Sequence, residues 1–131
     1  MKKMHAVLGC AVAAILAGSA AWAGSKYGYP VFIDLTQKKA YGTLGAARNS
    51  TDAVQLISCD AHAYKDGTRR MSCSAKNTSG TYVYCTSTVA GLVDSARSIS
   101  GDSFIYFEWD TNGECTYLGV GHSSEYAPKQ L

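Results

Sequence analysis

Asp60 and His62 come closest, by residue type and spacing, to acid–base chemistry. Two positions apart in an extended run, they place a carboxylate and an imidazole on one face of a strand. An imidazole beside a carboxylate can serve as a general base. The other half of such a mechanism is absent from the pattern. No serine or cysteine is set apart as a nucleophile, and neither G-x-S-x-G nor H-E-x-x-H occurs. Asp94, Asp102, Glu108 and Asp110 stand in unrelated contexts and form neither an EF-hand spacing nor a glycosidase pair. The cysteines show no C-x2-C spacing and no histidine in a ligand pattern. No catalytic residue, cofactor or metal is therefore expected. A small exported hydrolase using Asp60 and His62 is the alternative to a solvated polar sheet face.

The N-terminal residues carry an address. Lys2 and Lys3 precede an apolar run from Ala6 to Ala17, and Ala21-Trp22-Ala23 is a small-residue cleavage pattern. Residues 1–23 thus read as a secretory signal peptide of bacterial type. The run is too short for about 30 Å of hydrocarbon, so no transmembrane anchor is expected to remain. The remainder, residues 24–131, reads as one domain bound for the periplasm or the exterior. Lys2 and Lys3 account for the whole formal charge of +2, so this domain is neutral. It has no basic run to attract phosphate, and nucleic acid is not an expected partner.

Of the five cysteines, Cys10 leaves with the signal, and Cys59, Cys73, Cys85 and Cys115 remain. An even number in an exported chain is expected to pair as disulfides. The turns between them suggest how. Lys65-Asp66-Gly67 fits a three-residue hairpin loop with glycine in the left-handed position, as does Thr78-Ser79-Gly80. Counting back from these loops sets Cys59 opposite Cys73 and Cys73 opposite Cys85, in one row across three antiparallel strands. The row shares its face with Ile57, Met71, Ala75 and Val83. The opposite face carries Ser58, Asp60, His62, Arg70, Ser72, Ser74, Lys76, Tyr82, Tyr84 and Thr86. One apolar and one polar face is the pattern of a half-buried antiparallel sheet. Cys59 cannot reach Cys85 across the middle strand. Two connectivities remain: Cys59–Cys73 with Cys85–Cys115, which is favoured, or Cys73–Cys85 with Cys59–Cys115.

Further strand signals lie at Ala40 to Arg48, Ser103 to Trp109 and Cys115 to His122, with a short strand at Val31 to Leu35. Asp110-Thr111-Asn112-Gly113 joins the last two strands as a hairpin. Val89 to Ser98 reads as a helix, and the tail from Ser123 as a frayed end. No proline interrupts residues 31 to 127, which suits a continuous sheet. The expected fold is all-β and mainly antiparallel: a small disulfide-stapled sandwich or curled sheet with one short helix.

The nine tyrosines are the remaining excess. Tyrosine offers a rigid, amphipathic contact surface at low entropic cost. His62, Arg70, Tyr82 and Tyr84, sharing the polar sheet face, are the candidate binding residues. The expectation is a non-enzymatic module that binds a protein or a cell-surface ligand, or else a self-assembling envelope protein.

Overall fold

The computed structural model describes residues 24–130; the signal-peptide reading of residues 1–23 lies outside the described residues. The chain runs β1 (Phe32–Asp34), β2 (Lys39–Thr43), α1 (Leu44–Arg48), β3 (Leu56–Ala63), β4 (Arg69–Lys76), β5 (Tyr82–Ser87), α2 (Ala90–Arg97), β6 (Phe104–Trp109) and β7 (Cys115–Gly121). The strands form two antiparallel sheets, a four-stranded one in the order β1-β2-β6-β7 and a three-stranded one in the order β3-β4-β5.

The three-stranded sheet follows from its turns. Gly67 (φ +88°) and Gly80 (φ +81°) close the two loops in the left-handed region that a side chain disfavours. In each loop the glycine N–H donates back to the residue that opens it, Tyr64 or Asn77, at 3.0 and 2.9 Å. Asp110 to Glu114 repeats the arrangement between β6 and β7, with Gly113 at φ +77°. The register is the expected one: Cys59 faces Cys73, and Cys73 faces Cys85.

The disulfides are Cys59–Cys73 and Cys85–Cys115. Ladder alternation explains why Cys73 bonds to Cys59 rather than to Cys85. Tyr64 N–H donates to Thr68, which makes that a hydrogen-bonded pair. Five positions further, Cys59 and Cys73 form a non-hydrogen-bonded pair, where strands bring side chains closest. Their Cα atoms are 4.0 Å apart. Counting likewise from the Asn77–Thr81 hydrogen bond makes Cys73 and Cys85 a hydrogen-bonded, wider pair. Cys85 instead reaches Cys115 on β7 and links the two sheets where they meet. Beside it Thr86 bridges to Glu114 and donates its N–H to the Gly113 carbonyl at 3.1 Å.

α2 packs against β3, β4 and β7 and inserts Val93 and Ala96 between the sheets. Around them lie Met71, Cys73, Ala75, Cys85, Ile105 and Phe107, all with 1% exposure or less. The inward face of the three-stranded sheet is thus the apolar face read from sequence. The run expected to be one strand from Ala40 to Arg48 breaks at Thr43. Its hydroxyl accepts the Ala46 N–H, capping α1. Gly45 lets the chain end cross closely, since a Cβ there would overlap the Ala127 carbonyl. The tail is accordingly docked rather than frayed. Asn49 donates to the Pro128 carbonyl at 2.9 Å and accepts from Gln130 N–H at 2.8 Å, and Tyr126 bridges to Tyr27. The entry to β3 is fixed by Asp52, whose carboxylate accepts from Gln55 Nε2, Gln55 N–H and Val54 N–H. Those hydrogen bonds, the Gln55 side chain's first, hold the Asp52 carboxyl down at about 2.

Candidate functional site

Alternation along β1, β2, β6 and β7 sends Ile33, Ala40, Ile105, Phe107 and Leu118 inward. What remains faces outward in rows across the strands. One row is Phe32, Tyr41, Tyr106 and Gly119, in register on four adjacent strands. The row on one side is Thr43, Phe104 and Gly121; on the other it is Asp34, Lys39, Glu108 and Tyr117.

The rings of the central row form a platform. Phe32 and Tyr41 stack with centroids 5.0 Å apart, and Tyr41 and Tyr106 lie 6.2 Å apart and only 9° from parallel. Tyr29 joins at one end, 5.0 Å from Phe104 and 6.2 Å from both Tyr41 and Tyr126, with Tyr27 at 4.5 Å. Tyr117 stands edge-on to Tyr106 at 5.6 Å. Six tyrosines and two phenylalanines therefore make one connected aromatic surface. Tyr27, Phe32 and Tyr117 remain between 44% and 55% exposed.

Where the rows reach β7, two glycines take the place of side chains. The missing side chains of Gly119 and Gly121 leave an open trough of about 520 Å³, lined by Phe104, Tyr106, Glu108, Tyr117, Gly119, Val120 and Gly121. The Tyr117 ring leans over Gly119, where a Cβ would come within 3.1 Å of it. Glycine inside a strand commonly marks a close approach by another molecule or chain. Within the trough the Tyr106 hydroxyl donates to Glu108 Oε1 at 2.5 Å. That hydrogen bond, with burial and the Glu108 charge, pushes the Tyr106 phenol up to about 12. Among the described residues, Tyr106 is the side chain that hydrogen-bonds the Glu108 carboxylate. The site thus combines ring faces, phenolic hydroxyls and one carboxylate along an open trough.

His62, Arg70, Tyr82 and Tyr84 lie on the outward face of the three-stranded sheet. His62 faces Arg70, Tyr82 faces Lys76 and Tyr84 faces Ser74. All four are exposed. The structure brings them together in two pairs, because Arg70 and the Ser74 row are separated by about 13 Å of strand. Asp60 faces Ser72, and no hydrogen bond or ion pair among the described residues joins it to His62.

A nucleophile-and-base pair that the spacing did not disclose lies at the other end of β6 and β7. His122 Nδ1 is 3.2 Å from Ser103 Oγ and 3.3 Å from Ser100 Oγ. Asp102 accepts from the Ser100 hydroxyl at 3.2 Å, and Ser103 Oγ accepts the Ser100 N–H at 2.8 Å. A hydrolytic triad needs its carboxylate on the imidazole, to orient it and support its charge. Here the carboxylate is on the hydroxyl, and both serines close the turn between α2 and β6. Among the described residues no group of three or more His, Cys, Asp or Glu side chains is disposed to hold a metal ion. No helix among them is long and apolar enough to cross a membrane.

No protein-family model matches the chain, and no curated protein or solved structure shows significant similarity to it.

The aromatic face is not legible in the sequence, because its strands are distant in the chain and Phe104-Ile105-Tyr106-Phe107 does not alternate in polarity. Two signals were available. Hydroxyl- or carboxyl-bearing Tyr106 and Glu108 share a parity opposite to Ile105 and Phe107, and Gly119 and Gly121 interrupt one face of the last strand while Leu118 and Val120 fill the other.

Proposed function

We propose that this protein is an exported, non-enzymatic binding module that takes a neutral cell-surface glycan on the aromatic face of its four-stranded sheet. The observation that carries this reading is the row Phe32–Tyr41–Tyr106 running into the glycine-floored trough. Flat rings suit the C–H faces of sugar rings, and phenols and a carboxylate suit their hydroxyls. Aromatic residues dominate the trough and Glu108 is its one charged lining residue, which favours a neutral ligand over an acidic one. The two disulfides fit an oxidising compartment, periplasmic or extracellular.

The test is retention by a panel of neutral polysaccharides in affinity electrophoresis and solid-phase pull-down. Tyr106→Ala and Tyr117→Ala should each weaken retention at least about tenfold, equal to about 1.4 kcal/mol. Tyr82→Ala, Tyr84→Ala and Arg70→Ala should leave it unchanged. The reverse ranking would return the site to the three-stranded sheet, and no retention by any glycan of the panel would overturn the ligand class.

A further inference from the structure

We propose that two copies of this chain pair through the free edges of β3, antiparallel about a two-fold axis at Ala61, to make one continuous six-stranded sheet. The inference is independent of the aromatic face, and either can fail without the other.

The strand order places β3 at the edge of its sheet, and its ladder to β4 runs from Leu56 to Ala63 without a bulge. The other edges are better protected. β1 has three residues, and β5 and β7 meet each other at the bridge between Thr86 and Glu114. Exposed edges are usually guarded by charged side chains, lysine above all, or by proline, a bulge, brevity or a covering helix or loop. The eight residues of β3 include no proline, lysine or bulge; α1 packs against the strand, and Asp60 is its one carboxylate, which the pairing uses.

The end of β3 also stands clear of the body. Every residue from Asp60 to Arg70 is exposed, including Ala61 and Ala63 on the face that is buried further back. The hairpin is therefore an arm open on both faces and along its edge. Alternation from the Tyr64–Thr68 hydrogen bond turns the backbone of Asp60 and His62 toward β4. The N–H and C=O groups of Cys59, Ala61 and Ala63 then point away from the sheet, ready for a further strand.

Charge selects the occupant and the register. A two-fold axis at Ala61 sets Ala61 against Ala61 of the partner, and Cys59 against Ala63. It sets Asp60 against His62 twice, a carboxylate facing an imidazole across a non-hydrogen-bonded pair, where side chains are closest. Moving the axis by one residue either puts Asp60 against Asp60, like charges directly opposite and destabilising, or puts His62 against His62 and leaves Asp60 opposite Tyr64. Moving it by two residues leaves Asp60 opposite Ser58 or His62 opposite Tyr64. Only the register at Ala61 uses both ionisable groups of the strand as complementary pairs. The small Ala61 and Ala63 let the edges approach.

Sedimentation velocity on the oxidised protein, from about 10 µM to about 1 mM, tests the proposal. A monomer–dimer equilibrium is expected. Ala61→Pro removes an N–H that the β3–β4 ladder does not use, so it should keep the native circular dichroism and both disulfides while abolishing the dimer. Asp60→Lys should weaken dimerisation by about tenfold or more, and the double variant Asp60→Lys/His62→Glu should restore it by reversing the pair. The charge variants leave the backbone intact and decide the question even if Ala61→Pro misfolds. A monomer at about 1 mM, a dimer indifferent to Asp60→Lys, or a double variant no better than the single one would overturn the proposal.

Discussion

The two sheets were built by different means. The three-stranded sheet is one uninterrupted piece of chain, Leu56 to Ser87, folded by two glycine-closed loops and pinned across β3 and β4 by Cys59–Cys73. The four-stranded sheet is gathered from far apart, with Thr43 paired to Phe104 and Tyr27 bridged to Tyr126. The first presents a polar outer face with a few tyrosines. The second presents a continuous aromatic one. Local turn chemistry fixes a register, whereas an aromatic face of this kind arises only when distant strands fall into step.

The comparison can be broken in the core, where the expected effect is largest. If the sheets share one core through α2, the fully buried Phe107 and Met71 belong to one cooperative unit. Phe107→Ala should cost about 3–5 kcal/mol and Met71→Ala about 2–5 kcal/mol, each as a single urea transition. A separate second transition on removing Phe107 would show that the sheets unfold independently. The disulfides sharpen the contrast between pinning within a sheet and joining two. Replacing Cys85 and Cys115 by alanine opens a 30-residue separation and should cost about 3.7 kcal/mol. Replacing Cys59 and Cys73 opens 14 residues and should cost about 3 kcal/mol, read from the same denaturation curves. An inverted ranking would make the hairpin the more important staple.

Gly45→Ala probes the docking of the chain end on the four-stranded side. The added Cβ would displace Ala127, at a cost of about 1–3 kcal/mol. Carboxypeptidase should then trim the chain back through residue 124 faster than in the wild type, and unchanged trimming would separate the tail from α1. The smallest expected effect is at Tyr106. Its folded phenol is raised from 10.0 to about 12, chiefly by the Glu108 hydrogen bond. The neutral phenol is the form the fold favours, so this stabilisation is complete below pH 10 and lost as pH rises through 12. The Tyr29 phenol is raised too, chiefly by burial, so ultraviolet titration should show two late tyrosinates in the wild type, of which the later is missing from Tyr106→Phe. Its persistence would place the late group elsewhere.

Legibility followed the same division. Both hairpins, the cysteine row, the apolar inner face and α2 could be read because each depends on residues close in sequence, such as Asp66-Gly67 or the alternation through Met71, Cys73 and Ala75. Parity of the ladder would also have settled the disulfides, since Cys59–Cys73 is the narrow pair and Cys73–Cys85 the wide one. The break at Thr43 was hidden because a cap and a strand end use the same β-branched residue. The aromatic face was hidden for a different reason. Tyr41, Tyr106 and Gly119 become neighbours only through pairings that no local pattern specifies. Tyr82 and Tyr84 belong to the sheet whose register is legible from its turns, while six other tyrosines form the aromatic face of the sheet whose register is not.

The pairing of β2 with β6 has a consequence in time. Between these neighbours the chain makes α1, the whole three-stranded sheet and α2 before it returns. Closing so large an excursion costs chain entropy that hairpin formation does not, and non-local pairings form late. The three-stranded sheet should gain amide protection early in pulsed hydrogen exchange, and Tyr41, Tyr106 and their neighbours last. The aromatic platform would then be a surface that exists only after folding is complete.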